Sequence, residues 1–339
     1  MKKVYLIVIY RLNIVGLLQG QTFRQSLLKK LKEYDLEIKY LDPDKSLLSQ
    51  IAPAQVVING FQVIDRSLLE NCPNLKLIQQ SGIGVDNIDI KYCSSKGIYV
   101  ANVPLANAIS VAEHTIFLIF LLSKNVSIGT VHPPPAIGML HTKSKATAGM
   151  ELHGKTLAIV GLGVTGIEVA KLARGLGMRV EAVTKHPSTK SQGYDKKYFV
   201  DDLAGIDRLP EVLARADIVS IHTPLTEDTR DMFGEKELSM MKKSAYLINV
   251  ARARIVNKDA LFSALNSQRI AGAAFDVFWD EPPDPNDKIL SLENFLVTPH
   301  IAGWTAEAIE TITRIISINI ERVSRGEAPL TVVNRELLV

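Results

Sequence analysis

The chain has 339 residues, of which 47% are apolar and 22% charged, with a formal net charge of +3. At about 150 residues per domain the length fits two domains. The composition is that of a globular chain with ample core material, and the near-balanced charge excludes a broad nucleic-acid-binding surface. The two cysteines, Cys72 and Cys93, stand in no CxxC or metal-ligand spacing. They exclude a disulfide framework and fit a reducing, cytoplasmic compartment.

Two lysines precede an apolar run at residues 4–9, but Arg11 and Asn13 interrupt it. A buried first strand is therefore expected rather than a secretory leader. Further β-branched runs at residues 36–40, 56–58, 75–79 and 98–101 read as strands. Amphipathic stretches at 23–33, 47–51, 66–71 and 90–95 read as helices or helical turns between them. This alternation predicts a parallel sheet covered by helices. Residues 106–124 form a long predicted helix, whose apolar run at 116–122 falls far short of the ~20 residues that span a bilayer. Residues 126–148 contain three successive prolines after His132, which cannot sit inside a helix, so a loop or arm is expected.

A second alternating series follows. Strands are expected at 156–160, 179–183, 217–221, 245–249, 273–277 and 295–298, with helices at 165–176, 209–215, 235–240 and 257–267. Six strands with helical crossovers match a doubly wound nucleotide-binding sheet. The last long helix, 305–325, carries Ile309, Ile312, Ile316 and Ile320 at helical spacing.

The first turn of that second series reads GLGVTG, Gly161 to Gly166. It follows a predicted strand, opens a predicted helix and precedes another strand, which is the context that gives a GxGxxG pattern meaning. Gly161 permits the tight turn, Gly163 lets backbone approach a diphosphate, and Gly166 lets helix pack on strand. The diphosphate is expected on the helix N-terminus, at Gly163, Val164, Thr165 and Gly166. About 20 residues on, a carboxylate would be expected to hold the adenosine ribose. The chain instead has Thr184, Lys185 and His186 there. Lys185 would attract a 2′-phosphate where a carboxylate would repel it, so NADP(H) is favoured over NAD(H).

Seven motifs occur in one order: SGIGVDNID (residues 81–89), VPLANAISVAEHT (103–115), GLGVTG, HTPLTEDT (222–229), NVARARIV (249–256), FDVFWDEP (275–282) and TPHIAGWT (298–305). Together they resemble the D-isomer-specific 2-hydroxyacid dehydrogenase family, over nearly all of residues 75–300. The resemblance implies two Rossmann-like domains, each a parallel sheet flanked by helices. Residues 1–103 and 304–339 would form the substrate domain, and residues 104–303 an inserted NAD(P)-binding domain, with the active site between them. It also implies a homodimer, with the 106–124 helix as a candidate contact element.

The chemistry of a 2-oxo acid accounts for the residue types that the resemblance singles out. Its carboxylate needs a cation, and the guanidinium of Arg252 offers a fixed fork. The developing alkoxide needs a proton donor, and the imidazole of His300 titrates near neutrality. A carboxylate beside that imidazole, Glu281, would favour and orient the imidazolium. Further implied roles are backbone amides from Ser81, Gly82, Ile83 and Gly84 for the substrate carboxylate, and Asp276 for the nicotinamide carboxamide. Thr223 and Pro224 would line the adenosine side, Val250 and Ala251 would meet cofactor through backbone, and His300 through Gly303 would close over the nicotinamide. His222 falls beside the cofactor with no proton to transfer. Asp86, Asn87 and Asp89 read as cap and turn residues, and the remaining histidines have no metal-ligand spacing.

Two departures from the family pattern stand out. Ala253 occupies a position that is usually glycine after the arginine, and would be strained if positive φ were needed there. Residues 126–148 lack the family's Arg- and Trp-bearing segment. Phosphoglycerate-using relatives carry basic residues where this chain has Asn59 and Gln80, so glyoxylate or hydroxypyruvate is expected rather than phosphoglycerate. No regulatory domain is expected after the last helix. The rival readings are phosphoglycerate dehydrogenase, a phosphite-type dehydrogenase, and an NAD(H)-sensing corepressor on the same scaffold. Turnover assays and competition by oxalate separate them.

Overall fold

A computed structural model of the chain describes residues 5–9, 17–34, 36–40, 46–60, 62–126, 148–187 and 199–337. It divides into two compact units, Met1–Asn107 with Trp304–Val339, and Ala108–Gly303. The first unit begins β1 (Tyr5–Ile9), α1 (Leu17–Lys32), β2 (Glu37–Tyr40), α2 (Leu47–Ile51), β3 (Val56–Asn59), α3 (Arg66–Leu69), β4 (Leu77–Gln80), α4 (Ile90–Ser95) and β5 (Tyr99–Ala101). The second contains α5 (Ala108–Ser123), β6 (Thr156–Val160), α6 (Val164–Gly175), β7 (Arg179–Val183), β8 (Asp202–Ala204), α7 (Leu209–Arg215) and β9 (Ile218–Ile221). It continues with α8 (Glu235–Met240), β10 (Tyr246–Asn249), α9 (Lys258–Asn266), β11 (Gly272–Phe275) and β12 (Phe295–Val297). The chain then returns to the first unit as α10 (Ala306–Ser324).

In the first unit the strands are parallel in the order β2-β1-β3-β4-β5. Side chains alternate across the sheet. Val56 and Ile58 pack with Phe23, Leu27 and Leu31 of α1 and Ile309, Ile312, Ile316 and Ile320 of α10. Val57 packs on the other face with Ile51, Leu69 and Ile78. Each fully buried aliphatic side chain contributes roughly 1.5–3 kcal/mol. Short helices are started by side-chain caps: Ser46, Asp65 and Asp89 each accept a backbone N–H three residues on.

The second unit holds seven parallel strands in the order β12-β11-β10-β9-β6-β7-β8. The chain leaves β6 toward β7 and β8, then returns to the other side of β6 with β9 and runs outward to β12. The segments following β6 and β9 therefore diverge, which is where open α/β sheets place their ligands. Leu157 and Ile159 face α5 and α6 through Leu118, Ile119, Val169 and Ala173. Ala158 and Val160 face α7, α8 and α9 through Leu213, Leu238 and Leu261.

Several expectations need correcting. The first helix begins at Leu17 rather than residue 23, and the strand expected at 75–79 is Leu77–Gln80. The second sheet has seven strands rather than six, because Asp202–Ala204 adds an edge strand on β7. The strand expected at 273–277 ends at Phe275, which releases Asp276 into the following loop. Of the expected arm at 126–148, residues 127–147 lie outside the described residues. Among the described residues no helix is long and apolar enough to cross a membrane.

Candidate active site

The turn after β6 is shaped by what a side chain would strike. At Gly161 (φ 101°) an added Cβ would lie 2.6 Å from Thr223 N and 2.7 Å from His222 C, so the turn is pressed against the β9 exit. At Gly166 it would lie 2.5 Å from Gly161 O, which sets how closely α6 approaches its strand. Gly163, the N-cap of α6, has nothing within 4 Å of its virtual Cβ and makes no side-chain cap bond. Open space therefore faces a helix N-terminus whose first amides, at Val164, Thr165 and Gly166, have no intrahelical acceptor. Such a cradle fits a diphosphate.

At the tip of β7, Thr184 is buried and Lys185 is exposed. The lysine Nζ lies 2.7 Å from Asp228 Oδ2 in the loop after β9. Glu181, inside β7, is turned away from the tip into contacts with Arg179 and Arg215. At the end of β9, His222 Nε2 is 2.8 Å from Ser220 Oγ, and burial pushes its imidazole down to about 4. The ring is therefore neutral at pH 7.

Three further strand exits carry the expected triad. After β10, Asn249 folds the chain back: its Oδ1 accepts Ala251 N and its Nδ2 donates to Arg252 O. Arg252 is thereby held extended (φ −141°, ψ 132°) and its Nη1 donates to Ala251 O at 3.0 Å. Beyond β11, Glu281 Oε1 accepts Phe278 N at 2.9 Å. Its Oε2 accepts His300 Nδ1–H at 2.7 Å, beyond β12. The two side chains are 30% and 31% exposed. Burial acts to raise the Glu281 carboxyl, but the His300 hydrogen bond and charge, the Phe278 amide and the Arg252 charge together hold it below its usual range. Glu281 thus meets His300 directly and senses Arg252 through its charge.

Asp276, 1% exposed, holds the His300 turn together. Its Oδ1 accepts Thr298 Oγ1–H at 2.5 Å and Ile301 N at 3.0 Å, and its Oδ2 accepts Ala302 N at 2.7 Å. His300 itself sits in the left-handed region at φ 57°. In the other unit, Ser81 N donates to Asn59 O, Gly82 O accepts Val103 N, and Ile83 O accepts Asn102 Nδ2. Gly82 has open space where a side chain would stand. Among the described residues no cluster of His, Cys, Asp and Glu could hold a metal ion. Cys72 and Cys93 are buried and unbridged, and burial pushes the Cys93 thiol up to about 12.

Residues 136–302 match the family model described as D-isomer specific 2-hydroxyacid dehydrogenase, NAD binding domain. The chain is 34% identical over 275 residues to the glyoxylate reductase of Korarchaeum cryptofilum, covering 81% of each protein. The chain belongs to the D-isomer-specific 2-hydroxyacid dehydrogenase family. It is also 34% identical over 329 residues to the D-3-phosphoglycerate dehydrogenase of Methanocaldococcus jannaschii, where it matches 95% of itself and spans 60% of that longer protein. Among solved structures it resembles D-lactate dehydrogenase from Aquifex aeolicus complexed with NAD and lactic acid. That likeness has a TM-score of 0.77 at 28% identity and covers 97% of this chain and 99% of the other.

Within the chain, Ala253 needs no positive φ. It opens a 3-10 turn, Ala253–Ile255, and is buried against the β10 side of the core. Asp89 caps α4, and Asn87 Nδ2 donates to Gln62 O, as cap and turn residues do. Sequence reasoning gave His114 no role, yet α5 brings its Nε2 to 3.0 Å from Thr298 Oγ1 and 3.5 Å from Asp276 Oδ1. A histidine on the inward side of an apolar helix was the available signal. Its partner stands 184 residues away, beyond the reach of local spacing.

Proposed function

We propose that the chain moves a hydride to or from C2 of a small 2-oxo or 2-hydroxy acid, with His300 as proton donor or acceptor, Glu281 orienting it and Arg252 binding the carboxylate. The observation that carries this reading is the 2.7 Å His300–Glu281 pair within the field of Arg252. When bound, the nicotinamide dinucleotide supplies or accepts the hydride. Its diphosphate is assigned to the glycine cradle, with Thr223, Pro224, Val250, Ala251 and Gly303 as further contacts.

Arg252 grips the substrate carboxylate and polarises the adjacent carbonyl. The amides of Ser81 to Gly84 are assigned to the same carboxylate. In reduction, Nε2–H of the His300 imidazolium gives its proton to the carbonyl oxygen as negative charge grows there. In oxidation, neutral His300 takes the hydroxyl proton, and Glu281 stabilises the cation that results. A carboxylate offers about four acceptor sites. Asp276 uses three of them within the described residues, on Thr298, Ile301 and Ala302, which leaves one for a carboxamide N–H.

For the substrate, glyoxylate or hydroxypyruvate is preferred to phosphoglycerate. Asn59 and Gln80 are buried and bonded to each other at 3.0 Å, and Gln80 also donates to Gly60 O. Neutral amides committed in this way offer a phosphate no cation. For the cofactor, NADP(H) is preferred to NAD(H). The β7 tip presents Lys185 and no carboxylate of its own, and the exposed Lys185–Asp228 pair, of a kind worth at most about 1 kcal/mol, can yield to a 2′-phosphate. A homodimer is the proposed assembly, supported by Ile109, Phe117 and Phe120, which are exposed along one side of α5. A monomer by light scattering at micromolar concentration removes that part.

The test is a panel of 2-oxo acids run with NADPH and NADH against wild type, Arg252→Ala and His300→Ala. His300→Ala should lose about 10²- to 10⁴-fold in kcat with cofactor binding retained, and Arg252→Ala should mainly raise KM. A wild-type protein that binds NADH and turns over none of the acids would overturn this reading in favour of a sensor.

A further inference from the structure

The turn that presents His300 is braced from behind. His300 N donates to Thr298 O, and the next two amides, of Ile301 and Ala302, both donate to the Asp276 carboxylate. The Thr298 hydroxyl has a single proton and spends it on Asp276 Oδ1 at 2.5 Å. The His114 contact at 3.0 Å must therefore run from Nε2–H to the lone pair of Thr298 Oγ1. A donor chain results, from His114 Nε2–H through Thr298 Oγ1–H to Asp276. Burial pushes the His114 imidazole below its usual value against the pull of Asp276, so at neutral pH the ring has one N–H, and the chain fixes it on Nε2. Phe117, one turn along α5, holds the ring from the side with centroids 5.6 Å apart. None of these contacts involves the His300 imidazole.

We infer that His114 is a positioning residue for the hydride-transfer reaction: by fixing the Thr298 hydroxyl on Asp276 it sets the carboxylate that holds the turn carrying His300. The inference rests on the reading of His300 as the proton donor. Its physical content is that the Thr298 hydroxyl, left to rotate, would no longer be committed to Asp276. The three donors on that carboxylate would then lose their fixed arrangement, and a proton donor displaced by a fraction of an ångström loses much of its rate advantage.

The variants are His114→Leu, His114→Gln, Thr298→Val and the His114→Leu/Thr298→Val double replacement. Glutamine places an N–H near the former Nε2 and keeps the chain, whereas leucine fills the space without a donor. His114→Leu should lower kcat about tenfold, the loss of one buried hydrogen bond, with KM for the 2-oxo acid within about twofold. His114→Gln should restore most of it. The double variant should be no slower than the slower single one, because both break one chain. In histidine-labelled protein, the His300 Cε1–H signal, identified by its absence in His300→Ala, should shift in His114→Leu and return in His114→Gln. A kcat and a His300 signal both unmoved in His114→Leu would overturn the inference. So would losses that multiply in the double variant, or a glutamine variant of unchanged melting temperature that fails to restore. If wild type turns over no 2-oxo acid, the functional reading falls, and the His300 signal still decides the brace.

Discussion

Replacing Glu281 by glutamine keeps the size of the side chain and removes its charge. The Glu281 carboxylate accepts twice, from Phe278 N through Oε1 and from His300 Nδ1–H through Oε2. An amide has one oxygen, and the backbone N–H of Phe278 cannot turn away from it. The amide NH2 must then face His300 Nδ1, so that nitrogen has to become the acceptor and the ring neutral. The variant therefore loses the counter-charge to the imidazolium and disfavours the proton-loaded state. At a charge separation of roughly 4 Å, the Coulomb energy lies between about 1 kcal/mol in water and about 4 kcal/mol at an effective dielectric of about 20. The pair is 30% and 31% exposed, between those limits. A value of about 2 kcal/mol corresponds to roughly thirtyfold in rate. The assay is steady-state reduction of glyoxylate at pH 7 with saturating cofactor, kcat and KM determined separately. The loss should fall on kcat. A Glu281→Gln enzyme with kcat within twofold of wild type would refute the assigned role of the pair.

Gly166→Ala should destabilise the second unit by about 1–3 kcal/mol, because the new Cβ meets the backbone oxygen of Gly161 at 2.5 Å. A melting temperature equal to that of wild type would show that α6 can slide outward. Asp228→Asn frees Lys185 from its partner and should raise the NADPH:NADH ratio of kcat/KM by roughly threefold, in line with an exposed pair; an unchanged ratio would place the 2′-position elsewhere. His222 has an ordinary value of 6.5 lowered to about 4 in the fold, so the unfolded chain takes up a proton first. Stability is then unaffected above about pH 6.5, falls as pH drops from there toward 4, and levels off below, by at most about 3 kcal/mol. His222→Gln should remove that part of the acid sensitivity, read as a smaller difference in melting temperature between pH 7 and pH 5 than in wild type.

Much of this fold could be read from residue order, because parallel strands buried on both faces are short runs of β-branched and aliphatic residues. Thr156–Val160, Arg179–Val183, Leu209–Arg215 and Glu235–Met240 lie where the patterning put them. Asp202–Ala204 escaped notice because an edge strand of three residues, with only Ala204 buried, carries almost no periodic signal. The start of α1 was also hidden, since Gly20 and the flanking glutamines in Leu17–Lys32 break the apolar spacing. At the candidate site, Arg252, Glu281 and His300 were singled out by the resemblance, as residue types that suit the chemistry and follow strands. What spacing could not supply was their mutual geometry. Glu281 is aimed by a backbone amide at Phe278, and His300 by a carboxylate 24 residues earlier in the chain, at Asp276. The His114–Thr298 contact depends on α5 packing against the far end of the sheet, which only tertiary structure fixes.

His300 occupies a backbone conformation that side chains with a β-carbon usually avoid, at φ 57°. For an ordinary residue that conformation costs roughly 1–2 kcal/mol. Glycine would relieve the tension but take the imidazole with it. It would also remove the hydrogen bond to Glu281. On the proposed function, the position gives up backbone ease for the proton it moves. A His300→Gly enzyme should do no chemistry and melt close to its parent. The strain it sheds, about 1–2 kcal/mol, is offset by the lost charge pair with Glu281, about 2 kcal/mol. A small imidazole added to the solution has the vacated space to enter.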